Sequence, residues 1–96
     1  MTDDWKEAKI NLKNKHRIHL RPLQQIVETT LKFKSEMKVG VEGAECNPKS
    51  LLEMMIFAGD LINSPHEELV VKALGPDADE ALVAMNDLME TILTEE

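Results

Sequence analysis

Hydrophobic residues along this chain change their spacing several times, and each change marks a boundary between predicted elements. Ala8, Ile10 and Leu12 alternate with polar residues, a period of two that predicts a half-buried first strand. After a polar, basic loop at residues 14–18, helical spacing predicts a first helix that extends to about Lys34, with a stripe of Leu23, Ile26, Val27, Thr30 and Leu31. A fold made only of helices or only of strands is therefore excluded.

The same change of period recurs through the middle of the chain. Residues 37–41 alternate again, and Gly43 predicts a turn into a short third strand that ends at Cys46. Ser50 and Glu53 form a capping-box pattern, in which each side chain can satisfy an unpaired backbone N–H. A short second helix is therefore predicted over residues 51–58. Its residues are apolar nearly all round, so some of them must stay exposed, and we expect them to form a docking patch.

A last strand and a last helix complete the pattern. A polar connection at residues 59–68 precedes a fourth strand at residues 69–74. Residues 75–77 open a closing helix with a continuous apolar stripe of Ala81, Leu82, Met85, Leu88, Met89 and Ile92. The order β-α-β-β-α-β-α predicts an α+β domain, with three helices on one face of a four-stranded, mostly antiparallel sheet.

Composition excludes several other classes of protein. Cys46 is the only cysteine, so an intrachain disulfide cannot form. No apolar run approaches the ~20 residues that span a bilayer, which argues against membrane insertion. The N-terminal residues lack the basic-then-apolar layout of a secretory signal, so we expect a cytoplasmic protein.

Charge is unevenly distributed along the chain. The net charge of −7 divides into +4 over residues 1–38 and −11 over residues 39–96. No acidic residue occurs between Ala8 and Val27, where His19 is surrounded in sequence by Lys9, Lys13, Lys15, Arg17 and Arg21. Such a patch attracts an acidic protein surface or a phosphoryl group. Nucleic acid is disfavoured because the acidic remainder repels phosphates and the patch lacks interleaved aromatic residues.

His19 lies where the predicted loop becomes the first helix. A helix N-terminus offers unpaired N–H groups and the positive end of the peptide dipole, and both favour a phosphoryl group bonded to an imidazole there. Arg21 adds a charge-assisted contact for the phosphate oxygens. Pro22 fits the first helical turn without cost, because an N–H at that position has no partner. The sequence therefore predicts that His19 carries phosphate.

Other reactive residues do not form a recognisable centre. His16, His19, Cys46 and His66 lack the spacing of a zinc site, so no metal is predicted. No glycine-rich phosphate loop and no Ser/His/Asp arrangement appear, so neither a cofactor nor an independent hydrolytic activity is expected. Asp77 and its acidic neighbours are interpreted as first-turn residues that complement the dipole of the last helix.

Two segments carry a resemblance to a known family. Residues 14–22 (NKHRIHLRP) resemble the phosphorylation segment of HPr, the histidine-containing phosphocarrier of the phosphoenolpyruvate:sugar phosphotransferase system. Residues 46–52 (CNPKSLL) resemble the second signature of that family, a lysine-serine pair that opens a short apolar helix. The similarity covers roughly residues 8–93 and implies an open-faced β-sandwich. Residues 1–96 are then one HPr-like domain, with residues 1–7 as a short N-terminal extension.

The resemblance implies a mechanism and partners. His19 would accept a phosphoryl group from phospho-Enzyme I and pass it to Enzyme II A components, with Arg21 stabilising the phosphate. Ser50 would be a possible site for HPr kinase, whose product binds a transcriptional regulator in some relatives, although a plain helix cap is the favoured interpretation. The docking set implied for partner proteins is Arg17, Leu20, Leu51, Leu52 and Met55. This sequence departs from the family pattern at Arg17, Leu20 and Glu53.

Two alternatives to sugar transport stay open. A regulatory relative of the nitrogen branch would use the same histidine to control other proteins. A protein-binding module on the same scaffold would dock a partner through the second helix without any transfer. In none of these cases would the chain be an enzyme by itself, because the partner proteins catalyse the transfers.

Overall fold

The computed structural model describes residues 5–12, 20–65 and 67–94. Seven elements follow one another in the order that the sequence predicts, which confirms the α+β class. They are β1 (Lys6–Asn11), α1 (Leu20–Thr30), β2 (Glu36–Val41), β3 (Ala44–Cys46), α2 (Leu51–Ile62), β4 (Glu68–Leu74) and α3 (Ala78–Thr94).

The four strands form one antiparallel sheet in the order β1-β4-β2-β3. The central strand β4 pairs with β1 through Ala8 and Val71, and with β2 through Val39 and Val71. Because side chains alternate along each strand, this register aligns Ala8, Val39 and Val71 on the same face of the sheet. The hydrophobic sides of all four strands therefore point in one direction.

The helices cover that hydrophobic face and close a single core. Val71 and Val39 are buried beneath Ile26 of α1 and Met85 of α3, and α2 adds Met54. Met85 and Met89 of α3 are almost fully buried, which confirms them as core residues. Because the chain contains no tyrosine, flexible methionine and aliphatic side chains fill most of this space.

The opposite face of the sheet is open and charged. Lys38 and Lys72 face each other across β2 and β4, and the carboxylate of Glu45 lies between them. Its oxygens are 2.9 Å from the Lys72 Nζ and 4.0 Å from the Lys38 Nζ, and the hydrogen bond from Lys72 lowers the pKa of Glu45. The Lys38 Nζ also lies 4.8 Å from the ring centroid of Trp5. Cation–π contact therefore holds the only tryptophan on this face.

The first helix is shorter than its sequence pattern predicts. It ends at Thr30, and Leu31, which the pattern placed in the buried stripe, is 60% exposed. A continuing helix would direct the Lys34 N–H to the carbonyl of Thr30. Instead, the Phe33 N–H donates to that carbonyl, and the Lys34 N–H donates to the carboxylate of Asp77. A tertiary contact therefore ends α1.

The second helix is longer than its sequence pattern predicts. Residues 59–62, which the pattern assigned to a polar connection, form a further turn that ends at Ile62. Leu61 in this turn is buried in the core, and its burial offsets the unfavourable helix propensity of Gly59. At the N-terminus, β1 begins at Lys6, so Lys6 and Glu7 of the expected extension are part of the sheet. Across residues 5–12, 20–65 and 67–94, no helix is long and apolar enough to cross a membrane.

Candidate functional site

Helix α1 begins at Leu20, the residue bonded to His19. His19 and Arg17 lie outside the described residues, as does the side chain of Leu20. Leu23 and Ile26 are buried in the core and fix the position of the helix. The predicted acceptor is therefore attached directly to the N-terminal end of an anchored helix.

The first turn of α1 has the electrostatic properties of an anion-binding site. Its N–H groups have no acceptor within the helix, and Leu20, Arg21 and Leu23 supply such groups while Pro22 supplies none. The turn contains no acidic side chain, and Arg21 is exposed. Nothing in the described turn therefore opposes the positive end of the helix dipole.

Ser50 is the N-cap of α2, as its sequence pattern predicts. Its backbone is extended, at φ −106° and ψ 115°, and its Oγ accepts the N–H of Glu53 at 3.3 Å. The reciprocal half of the predicted capping box is wrong, because the Glu53 Oε1 accepts the N–H of Asn47 at 3.0 Å. The Ser50 N–H instead donates to the carbonyl of Asn47. Glu53 therefore closes the loop before the helix.

Two residues attach the start of α2 to the end of α1 through contacts that the sequence pattern did not predict. The Lys49 Nζ donates to the carbonyls of Phe33 and Ser35, both at 2.9 Å. The hydroxyl of buried Thr30 lies 3.2 Å from the carbonyl of Pro48 and 2.9 Å from that of Val27. Both residues of the lysine-serine pair therefore have structural roles, since Lys49 fixes the loop and Ser50 caps the start of the helix.

Asp77 has a role different from the one its position suggested. Its carboxylate accepts the backbone N–H groups of Lys34 and Ser35, both at 2.9 Å, and also the hydroxyl of Ser35. The hydrogen bond from the Ser35 hydroxyl, followed by the one from the Lys34 N–H, lowers the pKa of Asp77 to about 2. Asp77 therefore joins the α1–β2 turn to the start of α3. Its side chain does more than complement a helix dipole.

One face of α2 is apolar and exposed. We call it the α2 apolar surface, and it consists of Leu52 (68% exposed), Met55 (46%), Ile56 (62%) and Ile62 (38%). The exposed apolar patch predicted for this helix is therefore present, and its role in docking stays a prediction. Leu51 of the predicted docking set differs, because it is half-buried and packs against the core. Helix α1 packs beside α2, so the first turn of α1 and the α2 apolar surface belong to adjoining helices.

Cys46 does not have the properties of a reactive thiol. Its Sγ lies 3.5 Å from the Sδ of Met54, and burial raises the pKa of Cys46 to about 12, with a further contribution from the charge of Glu53. The thiol is therefore protonated at neutral pH. In the described parts of the chain, no group of three or more His, Cys, Asp and Glu side chains is placed to hold a metal ion.

Comparison with known proteins identifies a family for this chain. The family model described as "PTS HPr component phosphorylation site" matches residues 6–91. The phosphocarrier protein HPr of Mycoplasma pneumoniae is 35% identical over 86 residues, covering 88% of this chain and 93% of that protein. A multiphosphoryl transfer protein of Salmonella typhimurium is 32% identical over 98 residues, covering 99% of this chain and 25% of that protein.

A solved structure gives the same result for the fold. The crystal structure of HPr-C-His from Thermoanaerobacter tengcongensis has a TM-score of 0.78 and 34% sequence identity. The match covers 95% of this chain and 98% of the other. The sheet order and the three helices are therefore those of a known α+β open-faced sandwich.

Proposed function

This chain belongs to the HPr family of phosphocarrier proteins of the phosphotransferase system, and we propose that His19 carries its phosphoryl group. The observation that carries this proposal is the start of α1 at Leu20, directly after the histidine, in a turn without acidic side chains. The resemblance of residues 14–22 to the phosphorylation segment of the family agrees with it. Members of this family carry phosphate between enzymes and are not catalysts themselves.

The donor in the proposed reaction is phospho-Enzyme I. A nitrogen of the neutral His19 imidazole attacks phosphorus, a new N–P bond forms, and the bond between phosphorus and the donor breaks. The positive end of α1 disfavours a protonated ring, so it keeps the attacking lone pair available. Transfer to an Enzyme II A component repeats the exchange, with His19 as the leaving group. Such transfers depend mainly on positioning and charge stabilisation.

The α1 turn contributes to the phosphorylated state. The N–H groups of Leu20, Arg21 and Leu23 are the donors that this turn offers to phosphate oxygens. The exposed Arg21 guanidinium adds a charge-assisted hydrogen bond and offsets the new negative charge. Arg21 is thus a phosphate-stabilising residue in this proposal.

Partner docking is assigned to the surface beside this turn. Leu52 and Met55 are exposed on α2, and Arg17 and Leu20 complete the proposed contact set for Enzyme I and Enzyme II A. Leu51 would contribute only the part of its side chain that is not packed on the core. A cytoplasmic location, where these enzymes would meet the carrier, stays a prediction.

Ser50 is proposed first as a structural cap. Its Oγ already accepts the N–H of Glu53, and loss of such a cap costs ~1 kcal/mol. Phosphorylation by HPr kinase, with binding of a transcriptional regulator, is the second candidate role. A phosphate there would suit the N-terminus of α2 and add negative charge beside the α2 apolar surface.

Labelling tests the proposed acceptor. Incubation with phosphoenolpyruvate and Enzyme I is expected to give one acid-labile phosphate, which His19→Ala abolishes and the matched controls His16→Ala and His66→Ala retain. Label that survives His19→Ala would contradict the assignment. Absence of label in the wild-type chain, with unchanged partner capture by His19→Ala, would favour the non-transferring module. Label that passes to regulatory proteins but to no Enzyme II A component of sugar uptake would favour the nitrogen branch.

A further inference from the structure

The α2 apolar surface has an acidic edge on one side. Glu53 and Asp60 are seven residues apart, about two helical turns or ~10 Å along the axis, and both are exposed. Ile56 is three residues after Glu53 and four residues before Asp60, so both carboxylates flank its exposed side chain. A partner that covers Ile56 must therefore also approach these two charges.

Among the residues that the structure describes, no lysine or arginine forms an ion pair with either carboxylate of this edge. Helix α2 contains neither lysine nor arginine. Lys49, the basic residue nearest to α2 in sequence, directs its ammonium to the carbonyls of Phe33 and Ser35, so it stays charged in the cleft that it shares with Glu53 without pairing with that carboxylate. One oxygen of Glu53 accepts the N–H of Asn47, but that neutral donor leaves the carboxylate charged. Within the described part of the chain, two carboxylates against the one ammonium of Lys49 make this edge a net negative border to an apolar surface.

We infer that Glu53 and Asp60 select a phosphoryl-donor protein whose docking surface combines apolar side chains with lysine or arginine side chains facing this edge. This inference rests on the proposed function, because it specifies the partner chemistry of the same carrier. Covering an apolar surface removes water from charges at its border, which is unfavourable unless opposite charges face them. A donor with acidic side chains at those positions is disfavoured by like-charge repulsion. Glu53 is thus a specificity-determining residue that does not touch the phosphoryl group.

The test is steady-state phosphorylation of the whole chain by its cognate Enzyme I with phosphoenolpyruvate. We expect Glu53→Lys to raise the KM for the carrier about three- to thirtyfold with kcat unchanged, because one attraction becomes a repulsion. Asp60→Lys should act in the same direction. Asp87→Lys on α3 is the matched control, since it makes the same change in net charge outside α2, and its KM should stay near that of the wild type.

Glu53→Gln separates charge from local structure, because the amide oxygen can still accept the Asn47 N–H. Its KM should rise by a smaller factor, and the difference between wild type and variant should shrink at high salt. If Glu53→Lys and Glu53→Gln leave the KM unchanged or lower it while the wild-type chain is labelled normally, the inference is overturned and the proposed function stands. If the wild-type chain takes no label, the proposed function fails and the inference fails with it.

Discussion

Replacing glycine by alanine at two positions should change stability in opposite directions. Gly75 connects β4 to α3, and Gly59 lies inside α2. The chemical change is the addition of one methyl group at each position. The two variants therefore serve as controls for each other, and the sign of each effect follows from the space and the backbone conformation at the site.

At Gly75 the added methyl group has no room. The residue has φ +148°, and an added Cβ would lie 2.8 Å from the Cα and 2.6 Å from the Oγ of Ser35. The backbone conformation costs a non-glycine residue about 1 to 3 kcal/mol, and overpacking adds a similar amount. Ser35 cannot move without disturbing its hydrogen bonds to Asp77. We expect Gly75→Ala to lower the free energy of unfolding by about 2 to 6 kcal/mol, the sum of the two effects.

At Gly59 the added methyl group meets nothing within 4 Å. The residue lies in a helix, where alanine is favoured over glycine by about 0.5 to 1 kcal/mol. We expect Gly59→Ala to raise the free energy of unfolding by about that amount. Because both Gly59 and the α2 apolar surface are exposed on this helix, the variant also shows whether the added methyl group interferes with phosphorylation by Enzyme I.

Urea unfolding measures both changes, with the fluorescence of Trp5 and far-UV circular dichroism as independent probes. Trp5 is a useful reporter because it is the only tryptophan and lies against Lys38. The midpoint should fall for Gly75→Ala and rise for Gly59→Ala, with coincident transitions by the two probes. A Gly75→Ala chain as stable as the wild type, or a destabilised Gly59→Ala chain, would refute the geometry described for these sites.

Three further predictions concern single groups. The pKa of Asp77 falls from 3.8 to about 2 on folding, so its contribution to stability is present above pH ~4 and is lost towards pH 2. The urea midpoint of Asp77→Asn should therefore depend less on pH in that range than the midpoint of the wild type. The same pH dependence in both chains would contradict this. Because the pKa of Cys46 is raised to about 12, alkylation at pH 8 should be at least about a hundredfold slower in the native chain than in urea, and equal rates would disprove the burial. Met89→Ala should cost about 2 to 5 kcal/mol in calorimetry, whereas Val83→Ala, at a 61% exposed position, should change stability by under about 0.5 kcal/mol.

Element order and core could be predicted because local spacing records which side of each element is buried. The stripe through Met85 and Met89 in α3 and the alternation at Ala8 and Ile10 both correspond to the core face of the structure. Ser50 likewise carries its capping signal in its own sequence neighbourhood. These features depend on residues close together in the chain.

The two wrong helix boundaries depend on distant residues, whereas the unexpected partner of Glu53 lies only six residues away in the chain. Helix α1 ends where Asp77, more than forty residues away, accepts the N–H groups of Lys34 and Ser35, and no local pattern signals that contact. The last turn of α2 forms because Leu61 reaches the core, although Gly59 suggests a boundary. Glu53 has the spacing of a capping box but bonds to Asn47. The roles of His19 and Arg17 stay predictions, because both lie outside the described residues.

Backbone amide NMR spectra before and after phosphorylation test the central claim most directly. If His19 holds the phosphoryl group at the start of α1, the largest shifts should occur at the amides of Leu20, Arg21 and Leu23, and they should disappear as the phosphate is released. The amides of Glu53 and Met54 in the first turn of α2 provide the comparison within the same spectrum. Largest shifts in that turn, or none in the first turn of α1, would contradict the account.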